Sequence, residues 1–132
     1  MLEILRHFYA YFNPFKFNRR VTIMLINFEN IETLVRENFF GGNKSFDAKI
    51  FNDGQNRALI GKLVPGASIG FHAHDCGSEI VYILSGTGKA AYDNEVEILS
   101  PGLCHYCPKG HGHDMVNDGD EDLVFFAVVT TE

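Results

Sequence analysis

The sequence predicts an all-β fold, an antiparallel sandwich or barrel, on the basis of three observations. From about Phe46 onward the chain is a series of short apolar or alternating runs, each bounded by Gly, Pro, Asn or Asp. The runs follow one another roughly every 8–12 residues, the spacing expected of short strands joined by turns. No long helical pattern lies between them, so a parallel α/β fold, which needs crossover helices, is excluded.

Each run that is rich in β-branched or aromatic residues is interpreted as one strand. The Asp93-Asn94 pair between two of these runs predicts a tight hairpin turn. Ahead of the strands, apolar residues at helical spacing predict a short helix over 31–38. The predicted strands cover residues 46–51, 57–64, 69–74, 79–84, 87–92, 95–99, 103–107, 113–117 and 122–130.

Length and charge predict one globular domain preceded by a short arm. A chain of 132 residues suits a single core, and its 45% apolar and 21% charged residues are typical of soluble globular proteins. Residues 1–23 hold four basic residues against one acidic, a charge of +3, so the remainder of the −6 chain carries about −9. We therefore expect an N-terminal arm, or an upstream extension, over 1–23 and a barrel domain over 24–132.

The same composition excludes several classes of function. An acidic body without a run of Lys or Arg is a poor partner for nucleic acid. No apolar stretch approaches the roughly 20 residues of a membrane-spanning helix, and the order of a secretory signal is missing. Three cysteines are an odd number, and the Cys104-x-x-Cys107 pair lies in a strand-like stretch, so reduced structural thiols are expected. These features predict a cytoplasmic protein.

One cluster of polar residues suits metal binding. His72 and His74 are two residues apart, so on a strand their side chains share a face. If residues 75–78 form a hairpin loop, His74 faces Glu79 across the ladder, with Cβ atoms about 4.5–5.5 Å apart. Two imidazoles and a carboxylate suit zinc, copper, iron, nickel or manganese. The alternative is a set of surface polar residues near a hairpin.

The wider spacing places this cluster in two longer motifs. The first is Gly, five residues, His-x-His, four residues, Glu, six residues, Gly; the second is Gly, five residues, Pro-x-Gly, two residues, His, three residues, Asn. At both motifs the sequence resembles the cupin superfamily, and the resemblance covers residues 66–117. The specified positions are filled by Gly66, His72, His74, Glu79 and Gly86 in the first motif, and by Gly102, Pro108, Gly110, His113 and Asn117 in the second.

The resemblance implies a cupin-type antiparallel β-barrel, or jelly roll, that holds one divalent metal ion. The ion is expected to be manganese, iron, nickel, cobalt or zinc, since geometry and availability decide among them. In one respect the sequence departs from many cupins, because Leu103 follows Gly102 where an acidic residue is common. By the resemblance, the metal ligands are His72, His74, Glu79 and His113.

The other polar residues in and near the motifs are expected to be structural, except that one of them has two possible roles. His105 and His111 are not motif ligands, and we expect them to be structural. Asn117 follows His113 by four residues and so shares its face on a strand. It either orients a ligand or braces a turn.

Two functions from different classes remain open. Four protein ligands leave a six-coordinate ion with two open positions, which suits a metal-dependent enzyme of the oxygenase or isomerase type acting on a small polar organic molecule. The alternative is a non-catalytic, metal-dependent module that binds or senses a small ligand. A cupin motif does not decide between them, because fold does not fix function.

Strand parity also predicts a homodimer. If Val81 and Ile83 face inward with Glu79, then Ile80 and Tyr82 face outward and form an exposed apolar surface. Soluble monomers rarely leave such a surface in water, and a twofold-related copy would bury it.

Overall fold

The fold is described by a computed structural model of residues 23–131. This part of the chain forms ten strands and two short 3-10 turns, Phe28–Asn30 and Phe39–Gly41. Each of the nine predicted strands is present, within one residue at either end. The strands are β1 (Leu34–Glu37), β2 (Ser45–Asn52), β3 (Asn56–Leu63), β4 (Ser68–Ala73), β5 (Glu79–Ser85), β6 (Gly88–Tyr92), β7 (Glu95–Leu99), β8 (Cys104–Cys107), β9 (Gly112–Val116) and β10 (Leu123–Thr130).

The strands form two antiparallel sheets, which confirms the predicted jelly roll. One sheet has six strands in the order β1-β2-β3-β10-β5-β8, and the other has four in the order β4-β9-β6-β7. Along β10 every second side chain, from Leu123 to Val129, is buried, as expected for a strand with one face on the core. Val81 and Ile83 are buried on β5 as predicted. The core cluster is completed by residues of both sheets, among them Phe46, Leu59, Leu63, Ile69, Leu99, Met115 and Phe125.

The helix predicted over 31–38 is wrong. Leu34–Glu37 is a strand, and it pairs with β2 so that Leu34 lies opposite Ala48. Burial alternates along it, with Leu34 partly buried and Val35 exposed. The apolar residues at helical spacing, Ile31, Leu34 and Val35, fit one helical turn. An isolated turn has little stability of its own, whereas pairing with β2 satisfies the backbone groups.

The hairpin predicted between His74 and Glu79 is also wrong. β4 pairs with β9 in the four-stranded sheet, whereas β5 lies between β10 and β8 in the six-stranded sheet. Residues 74–78 therefore cross from one sheet to the other. Gly77 permits the crossing, because a Cβ at this position would collide with the carbonyl oxygen of Thr130.

The predicted Asp93-Asn94 turn is confirmed. Tyr92 pairs with Glu95, so β6 and β7 are joined by these two residues alone. Both have positive φ, 45° for Asp93 and 65° for Asn94, which is the backbone of a type I′ hairpin and favours Asn and Asp. This hairpin places β7 at the edge of the four-stranded sheet.

The predicted N-terminal arm lies outside the described residues, except for Ile23. Within residues 23–131, none of the helices has the length and apolar character needed to cross a membrane.

Candidate metal centre

The four predicted metal ligands come together between the two sheets. His72 lies on β4 directly opposite His113 on β9, His74 follows β4, and Glu79 begins β5. One ligand atom from each residue lies within 4.8 Å of the others, and the group could hold a metal ion. The predicted proximity of His74 and Glu79 is therefore right, although they meet across the sandwich and not across a hairpin.

Glu79 is an anion surrounded by imidazoles. Its Oε2 lies 2.8 Å from Nε2 of His113 and 3.1 Å from Nε2 of His74. Burial opposes ionisation of this carboxyl, but hydrogen bonds from His113 and His74 outweigh burial and hold its pKa well below the ordinary range. The site therefore carries one fixed negative charge, as a metal site needs.

His72 is held with one ring nitrogen ready to coordinate. Its Nδ1 lies 2.9 Å from the carbonyl oxygen of Gly70, and a carbonyl only accepts, so Nδ1 carries the proton and Nε2 keeps its lone pair. Phe40 stacks on the imidazole with ring centroids 4.6 Å apart. Burial lowers the pKa of His72 to about 4, although the charge of Glu79 acts in the opposite direction. The ring is neutral at pH 7, as a ligand must be.

The four residues form the polar wall of a small cavity. Its volume is about 40 Å³. Apart from the four, Arg57 is the only charged residue among the described residues that line it. Arg57 was not predicted as a site residue, although on β3 it lies two residues from buried Leu59 and therefore on the same, inner face. The other lining residues are apolar: Phe39, Phe40, Phe46, Leu59, Ile69, Met115, Phe125 and Val129.

The donor set fits a divalent first-row ion. Three imidazoles and one carboxylate are ligands that such ions share, and the ligand atoms of His74, His113 and Glu79 already lie within about hydrogen-bonding distance of one another. When bound, the ion would supply positive charge and open coordination positions for a small ligand.

His105 was expected to have an ordinary role, but it contacts a predicted metal ligand. Its Nε2 lies 2.8 Å from Nδ1 of His113, and its Nδ1 lies 2.7 Å from Oε2 of Glu97. The ring is only 3% exposed. Parity with buried Cys107 on β8 was the one sequence signal that placed it inside.

The other polar residues near the motifs lie away from the site. His111 forms an exposed pair with Asp93, at 3.2 Å between Nδ1 and Oδ2. Asn117 braces a turn: its amide donates to the carbonyl oxygens of Leu63 and Glu121, and its Oδ1 accepts from the N–H of Gly119. Of its two predicted roles, the structure supports this one.

Comparison with known families agrees with the motifs. A family model described as a cupin domain matches residues 59–129, more than half of the chain. The chain belongs to the cupin family. The matched segment includes His72, His74, Glu79 and His113, so the candidate metal centre lies within the part of the cupin that the family shares.

Several known proteins resemble this cupin. The oxalate-binding protein of Thermotoga maritima is 41% identical over 70 residues, which are 52% of this chain and 56% of that relative. The alignment thus spans little more than half of the relative's length. A crystal structure described as a predicted oxalate decarboxylase, also from Thermotoga maritima, has a TM-score of 0.77 and 27% identity and covers 83% of this chain and all of its own. A Klebsiella pneumoniae protein with a double-stranded β-helix domain has a TM-score of 0.63 at 20% identity, covering 83% of this chain and 91% of its own, and shows the fold alone.

Proposed function

We propose that this cupin holds one divalent metal ion and binds a small dicarboxylate of the oxalate class at the same site. The observation that carries the proposal is a cavity of about 40 Å³. The histidine and glutamate group forms part of its wall, and one cationic side chain, Arg57, is among its lining residues. The proposed metal ligands are His72, His74, Glu79 and His113.

Size favours a compact ligand. A cavity of about 40 Å³ suits a compact molecule better than a sugar. The apolar lining, with five phenylalanine or leucine side chains, supplies few hydrogen bonds to hydroxyl groups. The polar contacts are concentrated on the metal site and Arg57, so the ligand should be an anion with closely spaced oxygens.

Charge favours a dianion. A divalent ion bound with Glu79 would give the metal centre a net charge of +1, and Arg57 adds a positive side chain to the same lining. Binding a dicarboxylate neutralises both, and a guanidinium matches the fork of a carboxylate. The name of the oxalate-binding relative from Thermotoga maritima points to the same class of ligand.

Calorimetric titration of the metal-loaded protein tests the proposal. We expect one metal ion per chain and tighter binding of oxalate than of acetate, with little oxalate binding after chelation. Arg57→Met should weaken oxalate binding by roughly 10–100-fold, the usual effect of losing a charged hydrogen bond. Lys62→Met is the matched control, since Lys62 lies on the same strand but pairs with Asp47 at the surface.

Separate results would refute the metal site and the ligand class. A parent protein that takes up no divalent ion would refute the metal site. A loaded protein that binds acetate as tightly as oxalate, or an Arg57→Met variant that binds oxalate like the parent, would refute the ligand class.

A second candidate is turnover of the same ligand. The solved structure described as a predicted oxalate decarboxylase favours it, at 27% identity over all of that chain. Incubation of the loaded protein with oxalate distinguishes the two, because decarboxylation releases carbon dioxide and formate in equal amounts, whereas simple binding releases neither. Chelated protein is the control.

A further inference from the structure

We propose that Glu97 and His105 are positioning residues for the metal ligand His113. They form a chain of hydrogen bonds that holds the imidazole of His113 with Nδ1 protonated and Nε2 facing the ion. This inference rests on the proposed metal site, and it assigns a function to two residues that are not among the specified positions of either sequence motif.

The chain runs from the protein surface to the metal site in three short contacts. Tyr92 donates its hydroxyl to Oε1 of Glu97 at 3.0 Å. Oε2 of Glu97 lies 2.7 Å from Nδ1 of His105, and Nε2 of His105 lies 2.8 Å from Nδ1 of His113. On its other side, Nε2 of His113 faces Oε2 of Glu79 at 2.8 Å.

The contacts dictate where the ring protons lie in the metal-loaded protein. A hydrogen bond from His105 lowers the pKa of Glu97, so Glu97 is an acceptor and Nδ1 of His105 donates to it. A metal bound at Nε2 of His113 leaves the proton of that ring on Nδ1, which lies 2.8 Å from Nε2 of His105 and donates to it. The proton of His113 is thus held on Nδ1, and its Nε2 is left with the lone pair that a metal requires.

The surroundings keep this chain in place. His105 is 3% exposed and His113 is 2% exposed, so water does not compete for the bond between them. Their rings are nearly coplanar, with planes 19° apart and centroids 5.0 Å apart, so the hydrogen bond joins them edge to edge. His105 lies on β8, at one edge of the six-stranded sheet, and Glu97 lies on β7, at one edge of the four-stranded sheet. The chain therefore also ties the two sheet edges together beside the site.

Zinc affinity of the full chain, measured in competition with a chelator, tests the proposal. We expect Glu97→Ala and His105→Phe each to weaken zinc binding by roughly 10–100-fold, the usual effect of removing the partner of a metal-bound histidine, with one ion per chain retained. Because the residues act in series, the double variant should bind zinc no more weakly than His105→Phe. Glu97→Gln, which keeps an acceptor oxygen, should lie between Glu97→Ala and the parent.

Nitrogen-15 spectra of the histidine rings supply a second readout. In the zinc-loaded parent, Nδ1 of His113 should be protonated and Nε2 metal-bound. In metal-free Glu97→Ala, where the His113 ring is still contacted by His105, the His113 signals should move towards a mixture of tautomers. A purely structural role for Glu97 would leave these signals in place, and Glu97 is exposed enough for the variant to fold.

Asp93→Asn and His111→Phe are the matched controls, because they alter an exposed histidine–carboxylate pair that does not touch His113. Both should bind zinc like the parent. If the parent binds zinc while Glu97→Ala and His105→Phe keep the parental affinity and His113 spectrum, the positioning role is refuted and the metal site stands. If the parent binds no zinc, the proposed function and this inference fall together.

Discussion

Acid should destabilise the metal-free protein through His72. Burial lowers the pKa of this histidine from 6.5 to about 4 in the folded chain, whereas the unfolded chain takes up a proton near the ordinary value. Between these two pKa values the unfolded state binds more protons, so the free energy of unfolding falls as the pH falls. The contribution of His72 is complete above pH 6.5 and is lost progressively towards pH 4.

The expected magnitude follows from the two pKa values. Over the full range the loss is about 3 kcal/mol, since each pKa unit corresponds to about 1.4 kcal/mol. Between pH 7.5 and pH 5 the titration curves give about 2 kcal/mol. Glu79 acts in the same direction but at lower pH, because its depressed pKa removes stability only below the ordinary range of a carboxyl.

Urea denaturation of chelated protein at pH 7.5 and pH 5 measures this effect. The His72→Gln variant should lose about 2 kcal/mol less than the parent over this interval, because it lacks the proton-binding group. His111→Gln, at an exposed histidine, should lose as much as the parent. If His72→Gln and the parent lost equal stability, the buried and neutral state assigned to His72 would be wrong.

Three further predictions concern the metal site, the fold and the assembly. Glu79→Gln and His113→Ala should each weaken metal binding without abolishing it, since three ligands remain; parental metal content in both after chelation and reloading would contradict the site. Gly70→Ala should lower the free energy of unfolding by about 1–3 kcal/mol, because its Cβ would meet the carbonyl oxygen of Phe40; an unchanged melting temperature would show that the backbone yields. Light scattering should give twice the chain mass of 14.8 kDa, and Tyr82→Glu on the exposed face should give the monomer, whereas a monomeric parent would remove the dimer prediction.

Local patterns in the sequence were enough to predict most of the architecture. Strand positions follow from alternation between turn residues, and Asp93-Asn94 joins its two strands because Asp and Asn tolerate the positive φ that the turn requires. The outward position of Ile80 and Tyr82, both 44% exposed, followed from parity alone. The spacing of the two motifs singled out the four residues that the structure brings together.

Which residues distant in the sequence contact one another was decided only by the tertiary structure. Leu34–Glu37 is a strand because β2 is available to pair with it, and Glu79 reaches His74 across the sandwich because β4 and β5 belong to different sheets. Likewise, nothing adjacent to His105 in sequence indicates that Glu97 and His113 will lie on either side of its ring. The physical reason is common to all three: alternation and turn chemistry are properties of a few consecutive residues, whereas strand pairing and buried hydrogen bonds gain their free energy from residues that meet only when the chain has folded.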